Sequence, residues 1–386
     1  MKFASRMGRL GTETAFEVLA RARELEAQGK HVVHLEIGEP DFDTPQHIVD
    51  AGVAALKDGF THYGPSAGLP EVRQVIIDEV NRTRGLNLRP HHVVITPGAK
   101  PILFFTALAA IETGDEVIYP DPGFPIYESV ISFVGANPVA IPLRESNDFQ
   151  MDIDELKRLI TPRTKMIIIN SPGNPTGGVL SRDQLAAIAE LAVKHDLWVL
   201  SDEIYGRIIY EDKQESITQF DGLVERTIIL DGLSKAYAMT GWRLGYGVMP
   251  NDLAFLVSRL MTNSNSCTAS FSQRAIIAAL QGTQKPTEDM VAEFRRRRDM
   301  LVAELNSIPG FSCRNPRGAF YAFPNITGTG RKSRELAEKL LEDAGVAVLS
   351  GTAFGEHGEG YLRLSYANSP ENLREAVRRI REYIGK

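Results

Sequence analysis

The stretch 231-DGLSKAYAMTGWRLGYG-247 sets one lysine, Lys235, among Leu233, Ala236, Ala238 and Met239, and follows it eight positions later with Arg243. Neighbours of this kind strip water from an amine, which lowers its pKa and frees the lone pair for attack on a carbonyl. A lysine that lies along an apolar surface with its head in water would have the same neighbours, so the stretch alone leaves both readings open. Three other segments end in groups of comparable chemical point. HVVIT runs into Pro97-Gly98-Ala99-Lys100, a small-residue turn whose N–H groups could hold a phosphate at a helix start. KMIIIN runs into 171-SPGNPTGG-178, which presents the amide of Asn174, and LWVLSD ends in Asp202 with Tyr205 three residues on. Each has a plainer alternative: PGAK and NPTG are ordinary turn sequences, and Asp202 could cap a helix.

The elements that must carry these groups follow from the apolar pattern. HVVIT, EVIYP, PVAIPL, KMIIIN, LWVLSD and TIILD alternate with amphipathic stretches such as 182-RDQLAAIAELAVKH-195. Continuous apolar runs separated by helices predict an α/β fold, a mainly parallel sheet covered by helices on both faces. Ligands bind beyond the carboxyl ends of such strands, where all four chemical groups fall. After about residue 286 the texture changes to a long helix, short strand-like pieces (FSC, AFYAF, VAVLS, YLRLSY) and a terminal helix, ENLREAVRRIREYI. The expected division is a large domain over 46–286, with 1–45 and 287–386 forming a smaller α+β domain. A first helix is expected over 14–29, ending at Gly29. In the helix expected over 287–310, Met290, Phe294, Leu301 and Leu305 form an apolar stripe, and the basic run from Arg295 to Arg298 reads as a solvated or salt-bridged face.

Composition excludes several function classes. A chain of 386 residues with 43% hydrophobic and 8% aromatic residues fits a globular enzyme. The net charge of -6 provides no basic stripe for nucleic acid. Cys267 and Cys313 lie far apart without a CxxC spacing, which argues against a zinc site or disulfide framework and fits a reducing compartment. The N-terminal residues lack an apolar core of signal-peptide length, and no stretch is long enough to span a bilayer, so a cytoplasmic location is expected.

A phosphate seat, a carboxylate, a phenol, an amide, an amine and an arginine at four strand ends form a set suited to pyridoxal 5′-phosphate. That coenzyme needs a lysine for its aldehyde, an acid for its ring nitrogen, donors for its phenolate oxygen and cationic partners for its phosphate. With 36-EIGEPDFDTP-45, 61-THYGPSAGLPEVR-73, 170-NSPGNPTGG-178, 201-SDEIY-205, 234-SKAYAMTGWRLGY-246 and 361-YLRLSYA-367 in place, nearly the whole chain resembles a fold-type I pyridoxal phosphate enzyme. The resemblance is to the class I aminotransferases, the group that includes bacterial aspartate aminotransferases. It implies that Lys235 bonds the aldehyde, Asp202 pairs with the ring nitrogen, and Tyr205 and Asn174 hydrogen-bond the phenolate oxygen. It further implies that Ala99, Lys100, Ser234 and Arg243 hold the phosphate and that Phe124 stacks on the ring. Tyr63 matches the tyrosine that reaches the coenzyme of a neighbouring subunit, which implies a homodimer with shared sites. Gly38 corresponds to a loop lining the substrate pocket, and Arg363 to the arginine that grips the α-carboxylate by a bidentate fork.

Two positions depart from the family pattern. Gly232 stands where some members have a second phosphate-binding serine, and Gly11 to Phe16 lack the Pro-Ser pattern of the aspartate-specific relatives. Lys100 matches a lysine that contacts the distal carboxylate of dicarboxylic substrates; a structural role beside the phosphate loop is the alternative. The implied reaction is ping-pong transfer of an amino group from an L-amino acid (aspartate, glutamate, or a neutral or aromatic one) to a 2-oxo acid, with 2-oxoglutarate expected. Elimination at a C–S bond, or ring closure from an activated methionine, would share every coenzyme contact. A coenzyme-binding regulator would need a DNA-binding module, for which the early start of the sheet motifs leaves no room.

Overall fold

The computed structural model describes residues 2–211 and 213–385. All six apolar runs form strands of one sheet: β1 (Val93–Thr96), β2 (Glu116–Asp121), β3 (Asn137–Pro142), β4 (Thr164–Asn170), β5 (Trp198–Asp202) and β6 (Thr227–Gly232). A seventh strand, β7 (Gly245–Val248), pairs antiparallel with both β1 and β6, and the order across the sheet is β1-β7-β6-β5-β4-β2-β3. The remaining neighbours are parallel. The apolar pattern does not predict β7, because GYGV is four residues long and half glycine. Those glycines have a spatial reason: a Cβ on Gly245 would stand 2.3 Å from the Ala99 nitrogen, and one on Gly247 2.6 Å from the Met249 methyl.

Side chains alternate between faces along each strand. Val94, Ile168 and Leu200 pack with the helices Lys100–Ala110, Ile126–Val134 and Asn251–Ser264. Their neighbours face the other way: Ile95 packs with Pro70–Arg84 and Ser270–Gln281, and Ile167, Ile169 and Val199 pack with Arg182–Lys194. Both faces of the sheet are therefore covered, which is why its strands read as unbroken apolar runs.

A three-stranded antiparallel sheet, ordered Leu349–Ser350, Leu362–Ser365, Tyr321–Ala322, lies over a core that includes Phe294, Phe320, Leu364 and Tyr366. Val33–His34 pairs in parallel with Val346–Ala347. The FSC piece forms only an isolated bridge, Ser312 to Asn325. The first helix spans Thr14–Ala27, and Gly29 follows it with φ +87. The basic run divides: Arg295 and Arg296 are exposed, and Arg297 and Arg298 are buried. Arg297 pairs with Asp41 at 2.7 Å and Glu293 at 2.9 Å, and Arg298 with Glu211 at 2.6 Å and Asp299 at 2.7 Å. Arg295 pairs with Glu211 at 3.6 Å and Arg296 with Glu293 at 2.7 Å, so of the two readings the salt-bridged one describes the run.

Candidate active site

The carboxyl ends of β1, β4, β5 and β6 open onto one cavity of about 580 Å³. Every candidate read from the sequence lines it except Tyr63: Lys235, Asp202, Tyr205, Asn174, Ala99, Lys100, Ser234, Arg243, Phe124, Gly38 and Arg363. Tyr63 stands 88% exposed on the surface of the single chain.

Lys235 follows the end of β6, on a turn whose Leu233, Ala236 and Met239 are anchored in the core. Its side chain lines the cavity, where Nζ donates to the Gly38 carbonyl at 2.5 Å. Burial lowers its pKa to about 8; Arg363 and Lys100 push the same way, against Glu39 and Glu13. Gly38 has to be glycine here, since a Cβ would lie 2.1 Å from the Tyr321 hydroxyl.

Asp202 ends β5 and is 6% exposed. No helix begins there, so it is not a helix cap; one oxygen accepts the Ile204 N–H at 3.2 Å, and the other accepts the Tyr127 hydroxyl at 2.6 Å. Burial is the main reason its pKa rises to about 6, with Asp231 and Glu203 adding to it and the two hydrogen bonds opposing. A cation placed against this carboxylate would restore its full ionisation. The Tyr205 hydroxyl shares a hydrogen bond of 2.7 Å with that of Tyr321, and burial first of all holds the Tyr205 phenol well above its ordinary pKa. Tyr205 is therefore a neutral donor.

Arg363 sits in Leu362–Ser365 and is 3% exposed. Its guanidinium lies 4.6 Å from the Tyr321 ring and 5.0 Å from that of Phe354, donates to the Glu36 carbonyl, and reaches the Asn174 amide oxygen at 3.4 Å. Its Nε is buried and has no hydrogen-bond partner among the described residues. An orphaned donor on a buried cation is costly unless a ligand completes it, and a carboxylate fits that fork. The turn after β1 forms a cradle for a second arginine. Gly98, at φ +85, leaves the space that Arg243 fills, since a Cβ there would stand 2.1 Å from a guanidinium nitrogen. Ala99 then starts the helix Lys100–Ala110. Gly232 is similarly tight, with the Leu244 carbonyl 3.0 Å from a would-be Cβ, which accounts for glycine rather than serine at that departure.

Lys100 is not free: it forms an ion pair with Glu13, whose own side chain lines the cavity, and lies 5.4 Å from the Phe124 ring. Tyr127, Tyr321, Glu13 and Glu39 were missed as site residues. Tyr321 lies within AFYAF, but nothing in that string or in the residues around Tyr127 reports their partners, 116 and 75 residues away.

An amine, a buried carboxylate, a neutral phenol, an arginine-and-glycine cradle and a second arginine with an open donor fit a molecule with an aldehyde, a basic ring nitrogen and a phosphate, plus a carboxylate substrate. The family model for aminotransferase class I and II matches residues 30–380. An aspartate aminotransferase of Pyrococcus abyssi is 42% identical over 365 residues, 94% of each chain. The aromatic-amino-acid aminotransferase 2 of Thermococcus litoralis is 39% identical over 93% of each. The solved aspartate aminotransferase of Thermus thermophilus with maleate superposes with TM-score 0.95 at 37% identity, covering 99% of both chains. The chain thus belongs to the class I and II aminotransferase family: it is an aminotransferase that uses pyridoxal 5′-phosphate to move amino groups between amino acids and 2-oxo acids.

Proposed function

We propose that Lys235 is the coenzyme-bonding lysine and the group that moves the substrate's α-proton. Bound pyridoxal phosphate supplies the aldehyde and a protonated ring that draws electrons from the α-carbon. At a pKa of about 8, Lys235 presents on the order of a hundredfold more free base at neutral pH than an ordinary lysine. Asp202 holds the ring nitrogen's proton, and Tyr205 and Asn174 bind the phenolate oxygen. Ser234, Arg243 and the N–H groups of Ala99 and Lys100 bind the phosphate, and Phe124 packs on the ring. Arg363 fixes the α-carboxylate, with Gly38 shaping the pocket beside it. The reading rests on one observation: the desolvated amine of Lys235 shares a cavity with the buried carboxylate of Asp202 and the open guanidinium of Arg363. Borohydride reduction of the holoenzyme followed by peptide mapping is expected to label Lys235, and Lys235→Ala to lose at least about a thousandfold in turnover. Full activity in that variant, or a label elsewhere, would reject the assignment.

On substrate class, the relatives named for aspartate and for aromatic amino acids leave both open to this chain, and the Lys100–Glu13 pair supports acceptance of both. A neutral side chain would meet a charge-balanced pair. A distal carboxylate would displace Glu13 from Lys100. 2-Oxoglutarate is the acceptor on this reading. The same proposal includes a homodimer in which Tyr63 reaches the partner's coenzyme, and a cytoplasmic location, supported by the free Cys267 and Cys313. No helix among the described residues is long and apolar enough to cross a membrane. The division into 46–286 and 1–45 with 287–386 also belongs to the proposal; the seven-stranded sheet falls within the first span, and the pairing of Val33 with Val346 joins the two parts of the second.

A further inference from the structure

Behind the cavity lies a buried ionic cluster that the proposed chemistry does not use. Arg84 closes the helix Pro70–Arg84 and is 5% exposed. Its Nε and one terminal nitrogen donate to the same oxygen of Glu203, at 3.0 and 2.5 Å, and that terminal nitrogen lies 3.5 Å from Asp231. Glu203 follows Asp202 directly, and Asp231 precedes Lys235 by four residues. One guanidinium from a distant helix therefore ties together the ends of the two strands that deliver the ring-binding acid and the reactive amine. The remaining oxygens are occupied. Ser201 and Ser216 donate to Glu203 at 3.1 and 2.6 Å, Gln214 at 3.3 Å, and the Tyr246 hydroxyl and Gly232 N–H donate to Asp231 at 2.9 and 2.7 Å.

We infer that Arg84 is a positioning residue for the coenzyme: its single positive charge offsets one of the two negative charges that Glu203 and Asp231 place near Asp202, so that Asp202 stays ionised, and its fork links the ends of β5 and β6. The inference rests on the assignment of Asp202 to the ring nitrogen. Two carboxylates next to a third, all desolvated, would otherwise favour its protonation. The groups facing Asp202 agree with this. Glu203 and Asp231 raise its pKa, though less than burial does, the Tyr127 hydroxyl and the Ile204 N–H lower it, and Tyr205 and Lys235 share its cavity. Asp231 itself is raised chiefly by burial and lowered by Arg84 and, less, by Arg207, which is engaged with Glu79 at 2.5 Å. Lysine could not reproduce the fork.

The test is equilibrium titration of full-length apoenzyme with pyridoxal 5′-phosphate from about pH 5 to about pH 9, spanning the ordinary and shifted carboxyl range. The coenzyme's own titrations are common to all variants, so differences in the acid limb of the affinity profile belong to the protein. Arg84→Met is expected to weaken binding at neutral pH at least about tenfold and to move the acid limb up by about one pH unit. Glu203→Gln should move it down, and the double variant Arg84→Met/Glu203→Gln should recover most of the lost affinity. Wild-type binding by Arg84→Met, or a double variant no better than the single, would overturn the inference by leaving Arg84 a packing role only. Thermal melting identifies a variant that fails to fold; if Arg84→Met does, the Glu203→Gln limb decides, and an unmoved limb counts against it. Asp202→Asn is the reference. If it retains the acid limb, the assignment of Asp202 fails first and carries the inference with it; a limb lost in Asp202→Asn but unmoved in Arg84→Met rejects the inference alone.

Discussion

Gly38 touches the Lys235 amine through its carbonyl and the Tyr321 phenol through the space its missing side chain leaves. Gly38→Ala would force Tyr321 aside, and Tyr321 both bonds Tyr205 and lies under the Arg363 guanidinium. The variant is expected to lower kcat/KM about tenfold or more, with a stability loss of about 1–3 kcal/mol typical of overpacking. Steady-state kinetics and chemical denaturation measure the two, and unchanged kinetics would contradict the contact. Opposite Gly38 in function stands the Lys100–Glu13 pair, which is half exposed on the lysine side and so is a weak bond that a substrate can compete for. Glu13→Gln is expected to lower KM for aspartate by about threefold and to raise that for phenylalanine, which then meets an unbalanced charge. Lys100→Met should raise KM for aspartate, which loses its cation and meets Glu13 alone, more than that for phenylalanine. Equal effects on both amino acids would show that the pair does not sort substrates.

At the scale of elements, the two-residue strand Val33–His34 joins the N-terminal helix to the later part of the chain. His34 Nδ1 lies 2.8 Å from Glu36 and Nε2 3.1 Å from Glu26 on the helix Thr14–Ala27. The hydrogen bond to Glu36 is the largest cause of a pKa raised to about 9, with burial opposing it and Glu26 assisting. The sign follows from linkage. A histidine raised above its unfolded value of about 6.5 contributes its full stabilisation below that value and loses it as pH climbs through about 9. The melting temperature is therefore expected to fall between about pH 7 and about pH 10. His34→Gln should flatten that part of the profile; an identical slope in the variant would remove His34 from the account.

At the scale of the whole molecule, Phe3, Met7, Leu10 and Phe16 are exposed near the N-terminus, as are Tyr63, Phe255 and Leu256. Association of two chains would cover apolar side chains of this kind. The proposed homodimer accounts for Tyr63, the one candidate outside the cavity. Sedimentation of the holoenzyme is expected to give twice the chain mass, and Tyr63→Phe to weaken coenzyme binding about tenfold or more through one lost hydrogen bond to an anion. A monomer with full activity would refute the shared site.

Lys235, Asp202, Asn174 and the Ala99–Lys100 turn were legible in the sequence because each follows an apolar run, and a parallel sheet gathers the ends of its strands on one edge. The six runs themselves were legible because a sheet buried on both faces needs unbroken apolar segments. The glycine-rich β7 escaped that rule, since its residues are chosen for the close approach of the Ala99 loop and Ile102, not for apolar area. Tyr127 on Asp202, Tyr321 on Tyr205, Glu13 on Lys100 and Arg84 on Glu203 likewise needed the fold. Local pattern records which residues face inward; it does not record which distant segment they meet. That pairing of partners 75 to 119 residues apart, set by how the helices and the second sheet pack on the first, is what the tertiary structure alone decided.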